Sequence, residues 1–568
     1  MYNIMKIKNK PNRSLKTGAE IIIECLRAQG VEYIFGIPGA AIMPILEELR
    51  KKESVEGYPK FILCRHEQNA AFMAACWGRL TGKPGVVLVT NGPGATNIVT
   101  GVATATADRD PLVALTGSNP LSQHMKKAHQ SIHIRDIFNP ITKRSIEVED
   151  VNSIPEVIAM AFDAASSHRQ GGAHITFPLD IQKNVTSSVP IIQKCERSVG
   201  VSSRDTIKKV MTILRTAKYP VLLLGVGATH SLKITHAVRK FIKKSEIPTV
   251  GTFEAAGAVS RELLQYFVGR VGMKVREPGD VALEHADVLL TIGFDPIEYS
   301  PAYWKMKKGC KVIHIDALSA DPDTLYQPDS ELIGDIAANL SILQIYLRKK
   351  FSMHPAVKKV QRLLFRQQKM GEQLEGKRIH PLRFITDLRL TISDDTTVIS
   401  DVGSHQVWLA KYFFCYEPKH LLFSMGFQTM GVSLPWAMAT TLARPGKKVI
   451  SISGDGSFLM SAMELETAVR YAMPLVHVIW RDGGYNLVEI QQLEAYKKSF
   501  GVHFTDPDFV AFAKSFGAEG FRIEHADEII PTLKKAFAAK GPCIIDVPID
   551  YSQNLSLLQQ NELAFLFK

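Results

Sequence analysis

Between Thr17 and about Asp180, short apolar runs alternate with segments whose apolar positions recur at helical spacing. The runs EYIFGIPG, FILCRH, GVVLVTNGPG, PLVALTG and AHITFPLD predict strands, and GAEIIIECLRAQG, AIMPILEELRKK, EQNAAFMAACWGRLTG and ATNIVTGVATATAD predict the helices between them. Strands that are apolar throughout have both faces covered, so this rhythm predicts a parallel, doubly wound sheet. It returns with YPVLLLGVG, IPTVGTF, DVLLTIGFD and CKVIHIDA, and again with TTVISDVG, KKVISISGDG, LVHVIW and PCIIDVPID. The chain therefore reads as α/β with three doubly wound parallel-sheet domains, at 14–185, 190–345 and 375–553. The polar, basic, helix-patterned stretch 346–374 reads as a linker, and 554–568 as a tail. Similar length and rhythm in the first and third domains suggest a distant duplication.

Composition narrows this picture little: 568 residues, 46% hydrophobic and 22% charged, are enough for several large cores. The seven cysteines, Cys25, Cys64, Cys76, Cys195, Cys310, Cys415 and Cys543, are scattered and lack CxxC or zinc spacing. They read as reduced, mostly core side chains, which fits the cytoplasm. No apolar run reaches the roughly 18 residues a membrane span needs, and MYNIMKIKNKPNRS lacks the apolar stretch of a signal peptide. The expectation is a cytoplasmic protein with no membrane partner. The net charge of +12 raises nucleic acid as a partner. The basic residues, however, fall in separate clusters (KIKNK, RKFIKK, LRKK and the 346–374 stretch) with no aromatic interleaving, so they read as solvated surface and no nucleic acid is expected.

Ligands of open parallel sheets gather outside the carboxyl ends of the strands. There, ISGDGSFLM places Asp455 between Gly454 and Gly456, and RDGGYN places Asp482 at the end of the next strand, one crossover later. Adjacent parallel strands put both loops on one edge. Mg²⁺ prefers hard oxygen ligands and commonly takes one or two carboxylates, a carbonyl and phosphate oxygens. Asp455, Asp482 and the backbone carbonyl of Gly484 could supply the protein's share. Ser457 opens a helix, where free N–H groups favour phosphate, and Gly403, Ser404 and His405 of ISDVGSHQ occupy a comparable place. Two unrelated Asp-Gly turns are the alternative.

GDG followed by the acid of RDGGYN resembles the thiamin-diphosphate enzymes. RHEQNAAFMA, TNGPGATN, HQSIHIRDIFNPITKRS, IGFDPIEY, SDVGSHQVW, QTMGVSLPWAMA and SAMELETAVR, spread over residues 14–553, resemble the catabolic acetolactate synthases among them. The resemblance implies a pyrimidine-binding, a middle and a diphosphate-binding domain, with thiamin diphosphate and Mg²⁺ as cofactors. It implies condensation of two pyruvate to 2-acetolactate and CO₂ through a hydroxyethyl-thiamin-diphosphate carbanion. Glu67 matches the acid that hydrogen-bonds the aminopyrimidine and promotes ylid formation; a surface acid opening a helix is its plainer reading. Met430 matches the apolar wedge that bends the cofactor, although a lone Met is ordinarily core filling. Gln428 and Tyr485 match cofactor-contacting loops, and Pro38, Gly39 and Asn91 the pyrimidine side. Gln130 matches a glutamine near the reacting carbon. His129 and Gln491 stand where the anabolic relatives have an aromatic residue and a tryptophan that favours 2-ketobutyrate, so pyruvate is expected as donor and acceptor. Ser457 departs from the commoner glycine.

A site shared between subunits makes a homodimer or homotetramer the expected form. The middle-domain turns GFDPIEYSP and VGMKVREPGD do not resemble the Arg- and Asp-rich flavin-binding version, so no FAD and no regulatory subunit are expected. The alternatives are an anabolic acetohydroxyacid synthase catalytic subunit and a pyruvate oxidase, both requiring flavin.

Overall fold

The computed structural model describes residues 15–192, 199–272 and 276–554. The N-terminal 13 residues, Cys195, part of VGMKVREPGD and all but the first residue of the 554–568 tail lie outside the described residues. The chain divides into two compact units, residues 1–196 and 197–568.

The first unit holds one six-stranded parallel sheet: β1 (Tyr33–Gly36), β2 (Lys60–Leu63), β3 (Gly85–Val89), β4 (Leu112–Ser118), β5 (Arg144–Glu147) and β6 (Gly172–Pro178), in the order β2-β1-β3-β4-β6-β5. Val86, Val87, Leu88, Val113, Ala114 and Leu115 are fully buried, as central strands covered on both faces must be. The helix Glu67–Thr81 buries every residue from Asn69 to Gly78, and His66 caps it, Nδ1 accepting from the N–H of Gln68 at 3.1 Å.

The second unit holds two more parallel sheets. The middle one comprises β7 (Pro220–Leu224), β8 (Thr249–Thr252), β9 (Phe267–Val271), β10 (Val288–Ile292), β11 (Lys311–Asp316) and β12 (Ser330–Ile333), ordered β9-β8-β7-β10-β11-β12. The last comprises β13 (Thr397–Ser400), β14 (Leu421–Leu422), β15 (Val449–Gly454), β16 (Val476–Arg481), β17 (Glu519–Arg522) and β18 (Cys543–Pro548), ordered β14-β13-β15-β16-β18-β17. Counted from its own first strand, this order repeats that of the first unit. Within the second unit, Arg270 on β9 donates through Nη1 to the carbonyls of Ala410 and Phe413 at 2.9 and 3.0 Å, and Lys411 pairs with Glu277 at 3.0 Å, all buried. These contacts clamp the end of the helix Ser404–Tyr412 to the middle sheet.

The basic stretch read as a linker forms the helix Pro355–Met370, whose Val357, Val360 and Leu364 are buried and whose Gln361 donates to the carbonyls of Gln265 and Phe267. Of the described cysteines, all but half-buried Cys310 are buried, and none forms a disulfide. Among the described residues, no helix is long and apolar enough to cross a membrane.

Three imidazoles are fully buried. Burial pushes His174, His405 and His477 down to about 3, aided at His477 by His405. Below the ordinary value of 6.5 the unfolded chain binds protons that the folded chain refuses. Their stabilising contribution is therefore complete above pH 6.5 and is lost as pH falls toward 3, with a limiting slope of about 1.4 kcal/mol per pH unit for each. In the first unit, His174 is held between the hydroxyls of Thr116 and Ser145, each at 2.9 Å. Hydrogen-exchange protection of β4 and β6 is expected to drop between pH 6.5 and 5 in the native sequence and to flatten in His174→Gln. An unaltered profile in the variant would remove His174 from this account.

Candidate active site

The strand β15 ends at Gly454 and delivers Asp455 fully buried. Its Oδ1 accepts from the N–H of Gly456 at 2.7 Å, and its Oδ2 from those of Asp482 at 2.9 Å and Gly483 at 2.8 Å. One carboxylate thus ties the end of β15 to the end of its neighbour β16, and the predicted pair of acids does share one sheet edge. Gly456 is required by close approach: a Cβ there would lie 2.6 Å from Cε1 of Tyr485 and 3.0 Å from Cζ of Phe504.

A third acid, Asp506, arrives from a loop that pairs back on the RDGGYN turn through a Gly484–His503 bridge and a Tyr485 N–H to Val502 carbonyl bond of 2.8 Å. Asp482 is pushed up to about 8, by burial first and then by the charges of Asp455, Asp506 and Glu489. Asp506 is pushed up to about 6 by burial and then by Asp455, and its Oδ1 is buried without a hydrogen-bond partner. Mutually repelling hard-oxygen ligands of this kind fit a divalent cation. Among the described residues no three acid, imidazole or thiol groups form a metal cage. A cation here would take two carboxylates and complete its shell from carbonyl and phosphate oxygens, which is the habit of Mg²⁺.

Beside this edge, Gly403 and Gly454 both face the ring of His405: an added Cβ would lie 2.7 and 3.7 Å from its Cε1. Nε2 of His405 is buried without a partner, an orphaned polar atom that a phosphate oxygen could satisfy. The Ser404 hydroxyl donates to Oδ1 of Asn486 at 2.8 Å, which also receives Nδ2 of Asn554 at 2.6 Å. Ser457 donates to the carbonyl of Gly454 at 3.2 Å, so its hydroxyl serves the turn. Half-buried Met430 follows exposed Gln428, and the loop they share is fixed by Asp401. That buried carboxylate accepts from the N–H groups of Val402, Gly431 and Ser433 at 2.9, 2.8 and 2.9 Å. Gln491 is exposed on the helix Asn486–Tyr496.

In the first unit, Glu67 is the first residue of its helix, and its Oε2 accepts from Nδ2 of Asn97 at 2.9 Å. Gly94 leaves bare the side toward Oε1, where a Cβ would stand 3.7 Å away. A Cβ on Gly39 would lie 2.4 Å from that of Thr90, whose hydroxyl donates to Oδ1 of Asn91 at 3.1 Å. Asn91 in turn donates to Oδ1 of Asn119 at 3.2 Å and reaches the Gln130 carbonyl at 3.5 Å. Gly92, at φ +56°, packs so closely under Gln130 that a Cβ would lie 2.9 Å from the glutamine Cβ. Asn119 donates to the carbonyl of His129 at 2.9 Å. Asn91, His129 and Gln130 are therefore brought into one hydrogen-bonded network, with Gly39 packed beside it against Thr90 and Gln130 in the left-handed region at φ 56°. Asn91 and Gln130 line an open cavity of about 700 Å³ together with His124, Lys126, Lys127 and Arg135. Pro38, His129 and Gln130 are exposed.

The reading from sequence did not single out Asp401, Asp506, Asn486 or Asn97. Asp401 lies within the ISDVGSHQ strand end, a signal that could have found it. Asp506 has none, because backbone pairing distant in sequence brings it in.

Family models match in three stretches: "Thiamine pyrophosphate enzyme, N-terminal TPP binding domain" over residues 16–137, the central domain over 207–343 and the "C-terminal TPP binding domain" over 401–547. The "Acetolactate synthase" of Bacillus subtilis (strain 168) is 45% identical over 95% of this chain and 94% of its own. The "Acetolactate synthase, catabolic" of Raoultella terrigena is 38% identical over 98% and 99%, and the "Acetolactate synthase isozyme 2 large subunit" of Escherichia coli (strain K12) is 32% identical over 95% and 96%.

Proposed function

The chain belongs to the acetolactate synthase family of thiamine pyrophosphate enzymes, and on that premise we propose that it joins two pyruvate, with uptake of a proton and loss of one CO₂, into 2-acetolactate. The observation that carries this reading at the site is the pair Asp455 and Asp482 on adjoining strand ends, tied by the bond from the Asp482 N–H to Oδ2 of Asp455 at 2.9 Å, where burial first and then the charge of Asp455 oppose ionisation of Asp482. In this reading Asp455, Asp482 and the Gly484 carbonyl hold Mg²⁺, and Gly403, Ser404, His405, Gly454, Gly456 and Ser457 line the diphosphate. Pro38, Gly39 and Asn91 face the pyrimidine, and Met430, Gln428 and Tyr485 flank the cofactor's middle. Thiamin diphosphate, when bound, supplies the electron sink that decarboxylating a 2-oxo acid requires.

The chain's own groups do the rest. Glu67 gives and takes a proton at Oε1 while Asn97 fixes Oε2. Gln130 hydrogen-bonds the carbonyl of the acceptor, its carbonyl tethered by Asn91. His129 and Gln491 border the acceptor, and a polar Gln491 withholds the apolar contact that a longer 2-oxo acid would need. The domains at 14–185, 190–345 and 375–553 then divide the work into pyrimidine binding, a flavin-free middle and diphosphate binding.

A homodimer or homotetramer in the cytoplasm, without a regulatory subunit, belongs to the same reading. Its support is the exposure of Pro38, His129, Gln130, Gln428 and Gln491 in the single chain, since a cofactor pocket buries most of its ligand and needs a cover. The test is purified protein with thiamin diphosphate, Mg²⁺ and pyruvate, without flavin. One acetolactate per CO₂ is expected; acetaldehyde or an acetyl product in its place would overturn the acceptor assignment.

A further inference from the structure

Asp401, 1% exposed, is the first residue after β13, and its own N–H donates to the carbonyl of Ile452 on β15 at 2.8 Å. Its Oδ1 accepts from the N–H of Val402 and from that of Gly431, 30 residues further on. Its Oδ2 accepts from the N–H of Ser433, the first residue of the helix Ser433–Ala443. One side chain thus fastens the turn before that helix to the strand end from which Gly403, Ser404 and His405 follow. Gln406 adds a second tie, its Nε2 donating to the carbonyl of Ser424 at 3.4 Å and reaching Sδ of Met425 at 3.3 Å.

The fastened turn is one that does not hold itself. Gln428 lies at φ 53°, in the left-handed region that a residue with a Cβ seldom adopts, and Gly431 at +85°. Backbone of this kind persists only where its surroundings over-determine it. Packing supplies little here, since Met430 is only half-buried and Phe427 is 52% exposed. The determinant is the carboxylate. Burying an anion is costly unless hydrogen bonds offset it, and donors from two distant segments do so at Asp401. Its two oxygens, on one rigid plane, present acceptors to Gly431 and Ser433 at once.

We propose that Asp401 is the positioning residue of Met430: it couples the strand end that takes the diphosphate to the turn that presses on the middle of the cofactor, and so sets how closely the cofactor's two rings approach. This rests on the reading that Met430 flanks the middle of thiamin diphosphate. The plainer account is that Asp401 caps the helix Ser433–Ala443 from outside, a role in stability alone.

The experiment uses full-length protein loaded with thiamin diphosphate and Mg²⁺ and reads, by acid quench and NMR, how fast the C2 proton of the bound cofactor exchanges for deuterium before any substrate is added. Met430→Ala and Asp401→Asn are each expected to slow this exchange about 100-fold, the effect of misplacing reacting groups by about 1 Å, with cofactor affinity nearly unchanged. The double variant is expected to be no slower than Met430→Ala, because residues acting through one contact do not add. Asp401→Ala, which sets no donor against Ser433, carries the same cycle should the asparagine variant not fold. Folded Asp401 variants with a lowered thermal transition and a native exchange rate, beside a slowed Met430→Ala, overturn this proposal alone and leave the helix cap. A double variant slowed by the product of the two single effects also overturns it, since Asp401 then acts elsewhere. A native exchange rate in Met430→Ala removes the reading beneath it, and the proposal with it.

Discussion

Replacing Asp455 by asparagine is expected to lower the affinity for Mg²⁺ by at least about 100-fold, with acetolactate formation falling in step. The carboxylate is fully buried and accepts three N–H bonds through its two oxygens. An asparagine keeps one of those oxygens, turns an N–H₂ onto a backbone donor on the other side, and removes the charge. The loss therefore strikes the metal and the junction between β15 and β16 together. Asp482→Asn separates these effects. Among the described residues no hydrogen bond ties its side chain to the backbone, and in the folded chain without metal its ionised form is opposed by burial, Asp455 and Asp506. Neutralising it should raise the thermal transition of the metal-free protein while abolishing the rise that Mg²⁺ and thiamin diphosphate give the native chain. Calorimetric Mg²⁺ titrations of both variants in the presence of the cofactor decide the matter; a native titration curve for Asp455→Asn would remove it from the metal.

The shared edge of Asp455 and Asp482 was legible because β15 (VISISG) and β16 (VHVIWR) are short runs rich in β-branched and other apolar residues, joined by one crossover, and parallel geometry does the rest. The other strands read from the sequence were legible for the same reason, whereas β5, β9, β12, β14 and β17, each at the edge of its sheet, were not read. Features that depend on contact between distant segments could not be read. Asp506 enters through the Gly484–His503 bridge, which leaves no periodic signature in GVHFTDPDF. The work of Asp401, holding the loop of Met430 by the N–H groups of Gly431 and Ser433, spans segments that no local pattern connects. Average polarity concealed the apolar stripe Val357, Val360 and Leu364, by which the stretch read as a linker packs as a helix. The run SFLMSAMELETAVRYAM, with the periodicity of one helix, forms parts of two, Asp455–Leu459 and Glu464–Arg470, because tight turns from Phe458 to Glu464 intervene. Conversely, the roles of Glu67, Met430, Gln130 and Gln491 came from resemblance rather than from spacing, and for Glu67 the fold leaves two physical accounts to be separated.

Glu67→Gln is expected to retain the fold and thiamin diphosphate binding while kcat for acetolactate formation falls about 1,000-fold, within the usual range for losing a positioned proton-transfer group. The geometry makes the substitution clean. A glutamine can turn its carbonyl oxygen to Nδ2 of Asn97, preserving the 2.9 Å bond that orients the side chain. What then faces the bare side of Gly94 is an amide that cannot take up a proton. The competing account starts from the same geometry: Glu67 is the first residue of the fifteen-residue helix Glu67–Thr81, where a negative charge interacts favourably with the helix dipole. On that account the variant loses about 0.3–1 kcal/mol of stability and nothing in kcat. The two accounts thus move different observables. A lower kcat at an unchanged thermal transition and unchanged cofactor affinity assigns Glu67 to proton transfer; a lowered transition at native kcat returns it to the helix end. Asn97→Ala refines the first outcome. It leaves the carboxylate in place but frees its orientation, so its kcat should fall less than that of Glu67→Gln, whereas a role confined to the helix dipole predicts no change in kcat for either variant.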